Sequence, residues 1–138
     1  MAELKGKFVY YKTAKGNFNF KLKASNNETI AVCDNVYENL TRCKGGIESV
    51  RRFATIDKVE DQTVADFEKL TNPKFELYKD KQGKFRYRLR ANNGQLVCIA
   101  ESGYASKASC KNGIKSVGKW AVEADIMSDE EFQATLKK

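Results

Sequence analysis

The sequence predicts an α+β protein built from two tandem β-β-β-α-β motifs that share one core. Three observations predict it. Shifting the chain by 67 positions lays KFVYYKTAKGNFNFKLKASNN on KFELYKDKQGKFRYRLRANNG, and the register continues without a gap through YENLTRCKGGIESVRRFA over YASKASCKNGIKSVGKWA. About a third of the aligned positions are identical, the mark of an internal repeat. Within each copy, apolar residues first alternate and then recur every three to four positions, so strands give way to a helix.

The first strands are Lys7–Lys12 and Lys74–Lys79, with Phe8 and Tyr10, or Phe75 and Leu77, on one face. Gly16 and Gly83 mark the hairpin turns that follow, where a positive φ is often required. Second strands run over 17–24 and 84–91. Phe18, Phe20 and Leu22 correspond to Phe85, Tyr87 and Leu89 as the inward set. Asn93-Gly94 signals a type I′ turn, and Asn26-Asn27 is its weaker counterpart because asparagine tolerates the left-handed region. Third strands follow at about 28–33 and 95–100.

The period then changes. Cys43, Ile47, Val50 and Ala54, like Cys110, Ile114, Val117 and Ala121, form one apolar helical stripe per copy, with Asn39 and Ser106 as N-caps. Gly46 and Gly113 fall inside these helices at a cost of about 1 kcal/mol each relative to alanine. Close approach of helix to sheet would offset it; a ligand touching the helix backbone is the alternative. Fourth strands are expected within Thr55–Asp61 and Val122–Met127, where Val122, Ala124 and Ile126 alternate with Glu123 and Asp125. The segments around Asp66-Phe67-Glu68 and Glu131-Phe132-Gln133 are expected to form short terminal turns or helices, pinned by Phe67 and Phe132. A three-stranded meander with one helix buries too little to be secure alone. The repeats, 1–67 with an acidic linker and 68–138 with an acidic tail, should therefore make one compact pseudo-symmetric unit.

Composition excludes several classes of function. An apolar share of 41% rules out a disordered chain, and no apolar run approaches the ~18–20 residues of a membrane span. The opening MAELKGKF lacks the apolar core of a secretory signal, so a cytoplasmic protein with reduced thiols is expected. Cys33, Cys43, Cys98 and Cys110 form no CxxC pair and no histidine is present, so neither a metal nor a cofactor is expected. Cys43 and Cys110 share an inward helical position, which favours packing over nucleophilic chemistry. Without histidine, and with carboxylates concentrated outside the basic units, no catalytic residue is expected and the chain reads as a non-enzyme.

The net charge of +7 is unevenly spread: residues 7–54 carry +5 and 74–121 carry +8, whereas 55–72 and 122–138 each carry −3. The outward positions of the second strands hold Lys84, Arg86, Arg88 and Arg90 in one copy and Asn17, Asn19, Lys21 and Lys23 in the other. Tyr11 and Tyr78 lie opposite the inward set of their own strands and so beside these combs. Bases interleaved with aromatics on an open sheet suit nucleic acid or another polyanion, with loss of binding expected when Arg86, Arg88 and Arg90 become serine. An antiparallel sheet covered on one face must also solvate the other, so the comb has a purely structural reading too. A second candidate is the loop and helix N-terminus at Ser102, Gly103, Ser106 and Lys107, where backbone N–H groups favour a small anion or an acidic protein partner. There the plain alternative is that Ser106 caps the helix and Tyr104 packs in the core.

The stretches GKFVYYK, KFELYKDKQGKFRYRLRANNGQ and GYASKASCKNGIKSV resemble the YegP-like family of small, mostly bacterial proteins of unknown function. The resemblance covers both repeats, essentially 7–126. It implies one continuous sheet built by two β3-α-β motifs that exchange their fourth strands, as single-motif relatives do in homodimers. The chain would then be a monomeric pseudo-dimer, its Thr55–Asp61 strand crossing to the other half. The first copy departs from the pattern at Asn35-Val36-Tyr37, Asn39-Leu40 and Gly45, so a site could be altered there. The family brings no catalytic residues to carry over.

Overall fold

The computed structural model describes residues 5–33 and 36–137; Asn35 and the first four residues lie outside this range. Among the described residues, eight strands form one sheet: β1 (Lys7–Lys12), β2 (Phe18–Lys23), β3 (Thr29–Val32), β4 (Val59–Asp61), β5 (Lys74–Lys79), β6 (Phe85–Arg90), β7 (Leu96–Ala100) and β8 (Asp125–Ser128). The same residues form three helices: α1 (Leu40–Phe53), α2 (Lys107–Ala121) and α3 (Asp129–Leu136). The order across the sheet is β4-β5-β6-β7-β3-β2-β1-β8.

Each copy contributes an antiparallel meander, and the meanders meet where Ala31 faces Ala100 and Val32 faces Ile99. The fourth strands leave their own copy: β4 pairs with β5, and β8 with β1. The exchange implied by the resemblance is therefore present. Both exchanged strands run parallel to their partners, so the sheet is mixed and not wholly antiparallel. A parallel pair cannot be joined by a tight hairpin and needs a longer crossover, which the helix before each exchanged strand supplies. These strands are also shorter than expected; before β8, Val122 caps α2 and is 44% exposed instead of opening the strand.

All four hairpins close in one way. Gly16, Asn27, Gly83 and Gly94 take positive φ, and each N–H returns to the carbonyl three residues earlier at 2.9–3.0 Å. Asn93 keeps a negative φ, so its turn is a three-residue type I loop with a left-handed fourth position, not the type I′ turn expected.

α1 and α2 cover one face, where Phe8, Phe20, Leu22, Phe75, Leu77, Tyr87 and Leu89 meet Cys43, Ile47, Val50, Cys110, Ile114 and Val117 in a single core. A Cβ on Gly113 would lie 2.8 Å from Cζ of Tyr104 and 3.0 Å from Cε2 of Tyr87; on Gly46 it would lie 2.6 Å from Cζ of Tyr37. The helix glycines thus make room for tyrosine rings. On the other face, α3 begins with a capping box between Ser128 and Glu131 and packs on β1; Phe132 of α3 and Val9 of β1 are both buried. The corresponding 66–68 segment forms no helix and Phe67 is 40% exposed, because the linker there is tied down by charged groups.

Candidate functional site

Strand pairing aligns outward side chains into rows across the face that α1 and α2 leave open. One row reads Glu60, Glu76, Arg88, Ile99, Val32, Lys21, Val9 and Met127. Its two halves correspond through the repeat, Arg88 to Lys21 and Ile99 to Val32, but Glu60 and Glu76 stand where the first copy has Met127 and Val9. β6 and β2 are three strand spacings apart, about 14 Å, so the two combs share a face without touching. The aromatics do join them: the Arg88 guanidinium lies 4.3 Å from the Tyr78 ring centroid, and the Lys21 amine 5.4 Å from that of Tyr11.

Acids interrupt the second comb. Glu76 accepts from Nε of Arg88 at 2.5 Å and Nε of Arg90 at 2.8 Å, and Asp80 accepts from Nε of Arg86 at 2.7 Å. Lys74, 3% exposed, is bonded to Glu60, lies 3.4 Å from Glu76 and donates to the Leu70 carbonyl. Burial alone would raise the Glu60 carboxyl; hydrogen bonds from Lys74, Gln62 and the Leu70 N–H outweigh it and hold the pKa at about 2. Glu76 is likewise depressed, burial being overcome by Arg88 and Arg90. Lys84 is exposed and forms no ion pair among the described residues.

The first copy differs. Lys23 donates to Oγ1 of Thr29 at 2.9 Å and sits 4.9 Å from the Phe132 ring centroid, and Lys7 donates to Oδ1 of Asn27 at 2.9 Å. Burial, aided by the charge of Lys21, pushes the Lys23 pKa down. Lys7, Lys21 and Lys23 form no ion pair among the described residues. Unneutralised charge therefore sits on the comb that is half asparagine. The controlling carboxylates Glu60, Glu76 and Asp80 were absent from the sequence-based candidates, although the register of the hairpin at Gly83 sets Glu76 opposite Arg88.

At the second candidate, Ser106 accepts from the Ser109 N–H at 3.1 Å and caps α2. Lys107 pairs at 2.8 Å with Asp61, delivered by the exchanged β4. Burial would raise that carboxyl, but Lys107 and Thr63 hold it at about 2. Gly103 packs on Lys84, whose Cβ would lie 2.5 Å from an added methyl, and Ser102 is exposed. The loop and helix end are thus satisfied by the chain's own groups. All four cysteines are buried, and burial pushes the Cys43 and Cys110 thiols up to about 11, away from nucleophilic use at neutral pH. No helix among the described residues is long and apolar enough to cross a membrane.

A family model described as a domain of unknown function, DUF1508, matches residues 14–61 and again 80–127. The chain belongs to the DUF1508 family, in two tandem copies. Each DUF1508 match runs from the first hairpin to the exchanged strand. The UPF0339 protein PA0329 of Pseudomonas aeruginosa is 35% identical over 90% of this chain and 96% of its own length. A UPF0339 protein of Treponema denticola is 52% identical over 54 residues, 39% of this chain but 91% of that protein. Two solution structures share the fold. The protein of unknown function yegP from E. coli has a TM-score of 0.74 at 26% identity, covering 94% of this chain and 97% of that one. The UPF0339 protein SO3888 from Shewanella oneidensis has a TM-score of 0.71 at 27% identity, covering 90% and 91%.

Proposed function

We propose that this chain is a non-catalytic binding module that takes single-stranded nucleic acid, or a polyanion of similar charge spacing, on the open face of its sheet. One observation carries the reading: the duplication keeps a cation beside a tyrosine in both copies, Arg88 with Tyr78 and Lys21 with Tyr11, flanking the apolar strip of Ile99 and Val32. Such pairs offer stacking surface and phosphate contacts together. Because Glu76 and Asp80 already engage Arg86, Arg88 and Arg90, Lys21 and its neighbours supply most of the available charge. The test is fluorescence anisotropy with a labelled single-stranded oligonucleotide at about 50 mM salt, followed by salt titration. Weak binding that falls with salt, and drops more for the Lys21→Ala, Tyr11→Ala pair than for Arg86→Ser, is expected. Absence of binding at that salt concentration would remove the reading.

A further inference from the structure

The helix-bearing side of the sheet holds a groove of about 510 Å³ between α2 and the chain that leads from α1 into β4. Its floor includes Ile56, Val59 and Ile114. Lys111, Lys115 and Lys119 stand one turn apart along one wall, and among the described residues Asp57 is the single carboxylate that lines the groove. Among the described residues none of the three lysines is in an ion pair. Lys119 rests 4.7 Å from the Trp120 ring centroid, which leaves its charge uncompensated.

The first copy has a bridging side chain at the equivalent place. There Arg51 spans from α1 to the carbonyl of Ala124 at 2.8 Å and lies 3.6 Å from Glu48. Through the repeat, Arg51 corresponds to Gly118 and Glu48 to Lys115. The second copy therefore lacks both the side chain that bridges the counterpart groove and the acid that balances the helix face. A Cβ on Gly118 would lie 2.9 Å from the Ala54 carbonyl oxygen, so the helices approach too closely there for a side chain to be restored cheaply.

We infer that this groove binds a small organic acid, with its apolar body on Ile56, Val59 and Ile114 and its carboxylate among Lys111, Lys115 and Lys119. Charge complementarity selects an anion, and the apolar floor selects one with a hydrocarbon portion. The volume is in the range of small-molecule sites, about 300–1,000 Å³. The groove lies across the sheet from the cation–tyrosine pairs, so this inference and the nucleic-acid reading stand or fall separately.

The probe is octanoate, titrated into the full chain while backbone amide resonances are followed, with acetate and octanol as arms that keep only the charge or only the body. A ligand of about ten non-hydrogen atoms is expected to bind with a millimolar Kd. Shifts should centre on Ile56, Val59, Ile114 and Lys115, and both control ligands should bind at least fivefold more weakly. Lys115→Glu, which introduces the acid that the first copy has at the equivalent, exposed position, should weaken octanoate at least tenfold. Gly118→Arg would plug the groove but risks misfolding, so Lys115→Glu carries the test. The inference is overturned if these amides stay unmoved at about 20 mM octanoate, if acetate matches octanoate, or if Lys115→Glu binds as the parent does.

Discussion

At two glycines in equivalent helices, the same added methyl group has opposite consequences. Gly45 on α1 is exposed with nothing within 4 Å of a would-be Cβ, so Gly45→Ala should stabilise by about 0.5–1 kcal/mol through helix propensity alone. Gly113→Ala would push a methyl into Tyr104 and Tyr87, and the overpacking, about 1–3 kcal/mol, should exceed the propensity gain. Urea unfolding of the two variants checks both signs. Acid sensitivity is also decided by single residues. Glu60 and Asp61 have folded pKa values near 2, below their unfolded values, so their stabilisation is complete above about pH 4.5 and drains away as pH falls toward 2. Urea midpoints should therefore fall between pH 4.5 and 2.5, and Glu60→Gln should flatten that slope while lowering stability at neutral pH by leaving Lys74 underpaired. An unchanged slope in the variant would show that other carboxylates dominate.

At the scale of elements, α3 is the acidic strap of the open face. Its first turn carries Asp129, Glu130 and Glu131, and Phe132 anchors it beside Lys23. Removing 129–138 should cost about 1.5–3 kcal/mol from the lost burial of Phe132 and should tighten oligonucleotide binding by uncovering Lys23. Denaturation curves and anisotropy measured on one truncated protein check both effects, and unchanged affinity would mean that α3 does not screen the face. Legibility in the sequence followed the range of the interactions. Alternation fixed β1, β2, β5 and β6 to within a residue, and the stripes at Cys43 and Cys110 placed α1 and α2, because those patterns are local. β4 and β8 have only three and four residues and pair with the opposite copy, so their local pattern carried little of their placement. The combs were legible for the same reason as the strands. Their neutralisation was not: Glu76 reaches Arg88 through hairpin register, and Glu60 reaches Lys74 through the exchange.

For the whole molecule, the exchange makes each copy's sheet incomplete without the other. Unfolding should be a single transition in which fluorescence of Trp120, the sole tryptophan, coincides with far-ultraviolet circular dichroism. Fragments 1–67 and 68–138 should each be largely unfolded alone and regain the native spectrum when mixed; a fragment that folds alone would show that the copies are separable domains.

The pairing of β1 with β8 also fixes how the chain answers a mechanical load. These strands lie parallel, Lys7 beside Asp125 and Tyr10 beside Ser128, with one near the start of the chain and the other near its end. Tension applied to the two ends would first peel α3 and then draw the strands past each other in opposite directions. Their hydrogen bonds would be loaded together as a shear clamp and not opened one by one like a zipper. The same crossing that completes the sheet would thus tie its first strand to its last.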